Sequence, residues 1–233
     1  MTRTGSTQGA SRVGALAVVV SAGASPFLAQ TLSAITSQTC APDVVLVVRG
    51  DTLTEEFWQV ASEGGRPVVV WMYDEMRRTS FDLERVTPYA RIASYSVHDT
   101  AALQAAGIDA MHVPNGYDAQ GPIGRGDAGR GVVSFIGAPL PNRRVALEAL
   151  HGAGVPVRAW GRGWSNHPFD RARTWRLSTS GVPNARDVPL ADAQAIMRDS
   201  LATLNIHGDQ DGFTMRTFEA AGSGAVQLID RVD

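Results

Sequence analysis

The sequence contains no lysine: all 21 of the basic residues in its 233-residue chain are arginines. This absence excludes enzymes that depend on a lysine, such as pyridoxal-phosphate enzymes, Schiff-base enzymes and P-loop proteins. A phosphate group bound by this chain must therefore be held by arginine side chains and backbone N–H groups. The single cysteine excludes a disulfide framework and a cysteine-based zinc site, and it favours a reducing, cytoplasmic location.

Three further absences limit the possible functions. No apolar run approaches the roughly 20 residues of a membrane-spanning helix, so no membrane span is expected. The net charge of -2 gives no indication of a nucleic-acid partner or of an acidic-membrane surface. No Gly-x-Gly-x-x-Gly motif follows the first predicted strand, which argues against a dinucleotide-dependent dehydrogenase.

Buried strands alternate with amphipathic helices along the chain, and this alternation predicts an α/β fold with parallel sheets covered on both faces. The first predicted strand, 16–21, also has the flanks of a signal peptide, but the regular series that follows favours a strand. Other predicted strands cover residues 44–48, 68–72, 91–96, 110–113, 132–136, 155–160, 201–206 and 225–229. Predicted helices cover residues 26–38, 55–62, 99–106, 143–150, 191–198 and 215–221, and the Trp/Pro/Arg-rich stretch 164–175 is predicted to be a loop.

A segment with five glycines, 121–131, interrupts the series and is predicted to be a linker. The expected architecture is two Rossmann-like, doubly wound domains, residues 1–120 and 132–233. The last strand ends close to Asp233, so the second domain is expected to be truncated at its C-terminus. In such sheets ligands bind outside the carboxyl ends of the strands, where the functional residues are expected.

The first candidate site follows the strand that ends in Phe135-Ile136-Gly137. A helix begins close behind it, with Asn142 as its predicted N-cap and Arg143 and Arg144 in its first turn. Cations near a helix N-terminus oppose the helix dipole by about 0.3–1 kcal/mol each. Residues in such a locally unfavourable position suggest a function, here the binding of an anion.

The second candidate site follows the strand that ends in Leu204-Asn205-Ile206-His207. A polar loop containing Asp211 leads to a helix that starts near Thr214 and carries Arg216 and Glu219. A carboxylate one turn inside such a helix can accept hydrogen bonds from a ribose diol while the helix N-terminus holds phosphates. In the first half, His98 follows a strand and is a candidate base or sugar ligand facing the cleft between the domains.

These motifs resemble those of spore-maturation-protein-like (CgeB-type) glycosyltransferases, which are GT-B enzymes with two Rossmann-like domains. The resemblance covers roughly residues 43–230 and is most specific in the second half. The motifs that carry it are Asn205, His207, Gly212, Arg216-Thr217-Phe218-Glu219, Gly222-x-Gly224-Ala225, Phe135-Ile136-Gly137, Asn142-Arg143-Arg144, Val157-x-x-Trp160-Gly161-x-Gly163-Trp164, Val47-Val48-Arg49-Gly50-Asp51 and Trp71-x-Tyr73-Asp74-Glu75.

The resemblance implies transfer of a sugar from a nucleoside-diphosphate donor to an acceptor that the sequence does not identify. Glu219 would bind the donor ribose, and Asp211, one methylene shorter than the glutamate of related retaining enzymes, would face the donor sugar. The diphosphate would be held by Arg143, Arg216 and the helix N-terminus near Thr214. The same motifs place Gly137 and His207 in the donor-binding set. GT-B enzymes usually need no metal, because such positive groups stabilise the leaving diphosphate; no metal or other cofactor is expected.

Two alternatives remain open at this stage. Residues 16–42 resemble the opening of a family-2 GT-A glycosyltransferase, and Asp209-Gln210-Asp211 matches the Asp-x-Asp metal motif of GT-A enzymes. Alternatively, the hybrid front and the early end of the chain are those of a non-catalytic remnant, which would bind nucleotide and transfer nothing.

Overall fold

A computed structural model describes residues 16–20, 34, 42–126, 128, 129 and 131–230. The chain divides into two compact units, Met1–Pro114 and Asn115–Asp233. Each unit is built on a five-stranded sheet in which every neighbouring pair of strands is parallel. The predicted helix over residues 26–38 lies outside the described residues except for Ala34. No helix in the described part of the chain is long and apolar enough to cross a membrane.

The first unit follows the predicted series of strands and helices. Its strands are β1 (Leu16–Val20), β2 (Val44–Val48), β3 (Val68–Met72), β4 (Arg91–Ser94) and β5 (Ala110–His112). Its helices are α1 (Glu55–Ala61), α2 (Leu83–Val86) and α3 (Val97–Ala105), with 3₁₀ turns at Glu63–Gly65 and Met76–Arg78. The strands lie in the sheet in chain order, from β1 to β5, so this sheet winds in one direction, whereas a doubly wound sheet was predicted. Valine-rich strands suit this arrangement because β-branched side chains pack well on a pleated, buried surface.

A side-chain cap marks the start of α3 in the first unit. The Ser96 hydroxyl accepts a hydrogen bond of 3.1 Å from the backbone N–H of Asp99, so α3 starts at Val97, two residues before the predicted start. In the core beneath the sheet, Phe57 and Trp58 of α1 are almost fully buried, with ring centroids 5.2 Å apart in an edge-to-face arrangement.

The second unit has the strand order of a doubly wound sheet. Its strands are β6 (Val133–Ile136), β7 (Val157–Trp160), β8 (Asn184–Ala185), β9 (Ala202–Asn205) and β10 (Gln227–Ile229). Its helices are α4 (Pro141–Gly152), α5 (Pro168–Arg173), α6 (Leu190–Asp199) and α7 (Met215–Gly222). The order across the sheet is β10-β9-β6-β7-β8, so the chain reverses its direction of winding between β6 and β9. In open parallel sheets this reversal is the place where ligands bind.

Two segments of the second unit differ from expectation. The stretch 164–175, predicted to be a loop, contains α5, which opens on Pro168 and is capped by the His167 ring nitrogen, 3.3 Å from the Phe169 N–H. Its sequence has too little apolar periodicity to reveal a six-residue helix.

The glycine-rich segment is packed against α6. The N–H of Gly124 donates to the carbonyl of Ala191 at 2.9 Å, and a Cβ at Gly126 would lie 2.2 Å from the carbonyl oxygen of Asp192. Ala128 is buried in the cluster that contains Ile196. These glycines permit close backbone contact, whereas composition alone predicts a flexible linker.

Candidate functional site

An open cleft of about 410 Å³ lies at the carboxyl ends of β6 and β7. Two residues of the predicted site, Gly137 and Arg216, line it; the former follows β6 and the latter belongs to the first turn of α7. The other lining residues are Ile136, Ala138, Pro139, Trp160, Gly161, Arg162, Gly163, Asp187 and Val188. The structure thus brings together residues from the two candidate sites that the sequence predicted.

Glycines allow the loops after β6 and β7 to pack closely along the cleft. Gly161 has φ +146°, and a Cβ there would lie 2.8 Å from the carbonyl oxygen of Gly137. A Cβ at Gly163 would lie 2.6 Å from the ring of Pro139. The buried Trp164 joins the same loops, because its indole N–H donates to the Gly137 carbonyl at 3.0 Å. The shape of the cleft therefore depends on the absence of side chains at Gly161 and Gly163.

Helix α7 is fixed to the strands beside the cleft. The Asn205 amide at the end of β9 donates to the Thr217 hydroxyl at 2.6 Å, and the Gln227 amide donates to the Thr217 carbonyl at 3.0 Å. Thr214 occupies the N-cap position, and its side chain makes no capping hydrogen bond. The first turn of α7 thus keeps backbone N–H groups available for an anion.

Arg216 and Glu219 form an ion pair on α7, with 2.7 Å between Nη1 and Oε2. Glu219 is 7% exposed, while Arg216 is half-buried and reaches the cleft. Of the two residues only Arg216 lines the cleft, and ribose binding by Glu219 stays a prediction. A second ion pair, Arg162–Asp187 at 2.8 Å, also lines the cleft.

His207 is buried and held by a carboxylate. Its Nδ1 lies 2.6 Å from Oδ1 of Asp230, whose two oxygens also accept the backbone N–H of His207 at 2.9 and 3.0 Å. The carboxylate favours a proton on Nδ1, which leaves Nε2 as an acceptor. Within the described part of the chain Nε2 is buried without a hydrogen-bond partner, although such atoms are normally paired.

Arg143 connects the two strand ends at the reversal of winding. Its Nε donates to the carbonyl of Ile206 at 2.7 Å, and Nη1 donates to the carbonyl of Ala138 at 3.2 Å. Burial lowers the pKa of this guanidinium from its usual value. The neighbouring Asn142 donates to the His207 carbonyl at 2.7 Å. The polar start of α4 therefore positions the loop after β9, and a direct phosphate contact by Arg143 stays a prediction.

The two residues predicted to be catalytic belong to different units. Asp211 lies half-buried in the loop between β9 and α7, and His98 is exposed in the first turn of α3 in the first unit. Their roles stay predictions.

The first unit holds a polar cluster that the predicted site leaves out. Glu75, just after β3, is fully buried and accepts a hydrogen bond from the hydroxyl of Tyr95, which follows β4. The ring Nε2 of His112, at the end of β5, lies 3.1 Å from the carbonyl oxygen of Tyr95. In the sequence, this cluster is indicated by the two adjacent carboxylates Asp74 and Glu75 at the carboxyl end of a buried strand.

Replacing Asp74 with asparagine should make the protein more stable at neutral pH. Burial, and then a hydrogen bond with Glu75, raise the pKa of Asp74 above its ordinary value, against the opposing effect of Arg78. Because the folded state favours the protonated carboxyl, Asp74 stabilises the fold fully at a pH below its ordinary pKa of about 3.9. This stabilisation is lost as the pH rises through the higher pKa of the folded state. The melting temperature of Asp74→Asn should therefore exceed that of the wild type at pH 7.5.

The gain should disappear towards pH 3.5, which thermal unfolding across this pH range would measure. Asp109→Asn is the control, because Asp109 is an exposed partner of Arg91 at 2.7 Å and its replacement should bring no gain at neutral pH. A lower melting temperature of Asp74→Asn at pH 7.5 would contradict the expectation.

Part of the second unit is similar to a known protein family. Residues 143–233, which include β7 to β10 and α7, match the family described as "Glycosyl transferase-like". This part of the second unit is similar to that family. A search of curated proteins gives no significant match.

Solved structures support the fold. The DNA-modifying enzyme β-glucosyltransferase, described with its substrate uridine diphosphoglucose, is similar with a TM-score of 0.54 and 12% identity over 93% of this chain and 79% of that one. A T4 phage β-glucosyltransferase complex with UDP-glucose (TM-score 0.48, 12% identity, 93% and 80% coverage) also matches. So does UDP-N-acetylglucosamine 2-epimerase from Rickettsia bellii (TM-score 0.48, 13% identity, 86% and 58% coverage). The predicted GT-B type of α/β fold and the enzyme class, a glycosyltransferase, are confirmed.

Proposed function

We propose that this protein transfers a sugar from a nucleoside-diphosphate donor to an acceptor, and that the second unit binds the donor without a metal ion. The observation that carries the proposal is the Arg216–Glu219 pair beside the cleft, at the carboxyl edge of a doubly wound sheet. The pair lies within the residues that match the glycosyltransferase-like family. The finer proposal is a CgeB-type enzyme, on the motifs described above.

In this proposal the diphosphate binds at the N-terminus of α7. Backbone N–H groups near Thr214 and the guanidinium of Arg216 provide the positive potential that a metal ion or lysine would otherwise supply. The same groups stabilise the negative charge that develops on the leaving diphosphate during transfer. Gly137 lines the cleft opposite Arg216, and a Cβ there would lie 3.3 Å from the ring of Phe135.

Glu219 and His207 then bind the sugar portions of the donor. The carboxylate of Glu219 accepts hydrogen bonds from the ribose hydroxyls while it remains paired with Arg216. The Nε2 atom of His207 accepts one further hydrogen bond from the donor, which would satisfy an atom that is otherwise buried without a partner. Arg143 contributes by holding the loop after β9, in addition to its predicted phosphate contact.

The transfer step itself needs groups on both sides of the sugar. We propose that Asp211 faces the donor sugar and that His98 of the first unit acts as the base that removes the acceptor proton.

Calorimetric titration of the folded chain with UDP, GDP and dTDP in the presence of EDTA tests the donor site. UDP is the first nucleotide to try, because the β-glucosyltransferase described above takes uridine diphosphoglucose. We expect saturable binding of one nucleotide that EDTA leaves unchanged. Binding that is lost on chelation would favour the metal-dependent GT-A alternative, and a folded chain that binds none of the three would contradict the proposal.

A further inference from the structure

The small net charge of the whole chain conceals a strongly basic stretch in the second unit. Residues 158–187 contain six arginines and only two aspartates, a local charge of +4 in a chain whose net charge is -2. Both aspartates are already paired: Asp170 accepts two hydrogen bonds from Arg186, at 2.9 and 3.1 Å, and Asp187 lies 2.8 Å from Arg162. The remaining arginines of this stretch therefore give its surface a net positive potential.

Three of those arginines lie on or just after α5. Arg171 reaches over the turn that follows the helix and donates to the carbonyl of Leu177, and the backbone N–H of Arg176 donates to the carbonyl of Arg171 at 2.9 Å. Burial, and then the positive charges of Arg144 and Arg171, lower the pKa of Arg176. Arg173 is exposed and borders a 210 Å³ pocket together with the two ion pairs Arg162–Asp187 and Arg186–Asp170. Like charges are thus held close together by backbone hydrogen bonds.

The same turn presents large apolar side chains to solvent. Trp175 is 93% exposed and Leu177 is 92% exposed, and Phe169 on α5 is 59% exposed. Trp175 also has φ +53°, a left-handed conformation that bulky residues rarely adopt. An outlier of this kind persists only where the surrounding structure imposes it, and such outliers cluster at functional sites.

We propose that residues 169–177 form a docking surface for an anionic lipid bilayer. Tryptophan and leucine next to several arginines are the combination that binds the interfacial region of a membrane, the apolar groups entering it and the cations remaining at the phosphates. Leu177 favours a bilayer over a nucleic acid, since an aliphatic side chain can neither stack on a base nor pair with a phosphate. The net charge of the whole chain gives no indication of such a surface, because it averages out this local concentration of arginine. The surface is independent of the donor site and does not rest on the proposed function.

Sedimentation with lipid vesicles tests the proposal. The full chain should bind vesicles of phosphatidylcholine with 30% phosphatidylserine at low salt, and should not bind vesicles of phosphatidylcholine alone. Binding should fall steeply between 50 and 500 mM NaCl, because the arginine–lipid attraction is screened. Equal binding to both vesicles, or none to either, would overturn the proposal. So would binding to a short DNA duplex without binding to vesicles, which would identify a nucleic-acid surface instead.

Variants locate the surface. Trp175→Ser and Arg173→Glu should each weaken vesicle binding by about tenfold. The matched controls are Val226→Ser, at a 63% exposed apolar side chain, and Arg125→Glu, at an exposed arginine, and both should bind like the wild type. Trp175→Phe should restore most of the binding. If the controls weaken binding as much as the test variants, the surface lies elsewhere.

Fluorescence gives a readout that misfolding would not imitate. Of the other four tryptophans, Trp58, Trp160 and Trp164 are buried and Trp71 is partly buried, so a blue shift of the emission on addition of anionic vesicles should come mainly from the 93% exposed Trp175. The shift should be absent in Trp175→Phe even though this variant still sediments with the vesicles. A shift that persists in Trp175→Phe would show that Trp175 does not enter the bilayer.

Discussion

Replacing Glu219 with alanine should weaken UDP binding by about 1–3 kcal/mol, which is a rise in Kd of about 5-fold to 150-fold. The carboxylate is 7% exposed and is paired with Arg216 at 2.7 Å, so its removal takes away the proposed ribose acceptor and also releases the guanidinium beside the phosphates. Isothermal titration of the wild type and the variant with UDP, in EDTA, measures the change directly.

Two controls separate binding from folding in this experiment. Glu148→Ala removes an exposed carboxylate from α4 and should leave the Kd unchanged. Glu219→Gln keeps the size of the side chain and one acceptor oxygen but loses the charge, so its Kd should lie between those of wild type and Glu219→Ala. A Glu219→Ala variant that folds, by circular dichroism, and binds UDP with the wild-type Kd would rule out the ribose role.

The sequence predicted those parts of the fold that depend on local pattern. The β-branched runs that became β2 and β3 are apolar along their whole length, as expected for strands buried on both faces, and α7 begins at the predicted residue. The loops after β6 and β9 were predicted to carry the site, because ligands bind at the carboxyl ends of parallel strands. The strand order that makes these two loops neighbours could not be obtained from periodicity and came from the structure.

The hydrogen-bond partners of the site residues could not be predicted from the sequence, because they are distant in the chain. The two arginines at the start of α4 suggested an anion site. In the structure, Arg143 donates two hydrogen bonds to backbone carbonyls, and one of these carbonyls, that of Ile206, is 63 residues away in the sequence. His207 was recognised from its motif, while the carboxylate that orients it, Asp230, lies 23 residues further on. Contacts of this kind depend on how the strands are placed in the sheet.

The glycine-rich segment illustrates why composition misleads. Five glycines within eleven residues are typical of a flexible linker, and the sequence carries no sign of what lies against them. In the structure a Cβ at Gly124 would lie 2.8 Å from backbone atoms of Ala191 and Asp192, so glycine is required by contact with α6. A flexible linker uses glycine for its conformational freedom, whereas a packed segment uses it because no side chain fits. Only the residues that lie against the glycine distinguish these two roles.

The replacement of Gly161 with alanine should damage both the stability of the second unit and its binding of nucleotide. Alanine at φ +146° is strained whatever the space around it, and the new Cβ would lie 2.8 Å from the carbonyl oxygen of Gly137. The backbone cannot relax freely, because the Gly161 N–H donates to Ala185 and its carbonyl accepts from Trp164 at 2.9 Å. We expect the free energy of unfolding to fall by about 1–3 kcal/mol, as measured by urea denaturation.

The same substitution should raise the Kd for UDP by about tenfold or more, because the loops after β6 and β7 must separate to accommodate the methyl group. Gly152→Ala is the matched control: Gly152 is the last residue of α4, its φ is not positive, and nothing lies within 4 Å of the added Cβ. This control should bind UDP as the wild type does and be as stable or slightly more so, since alanine loses less backbone entropy on folding. A Gly161→Ala variant that is destabilised but still binds UDP with the wild-type Kd would mean that the nucleotide does not use this cleft.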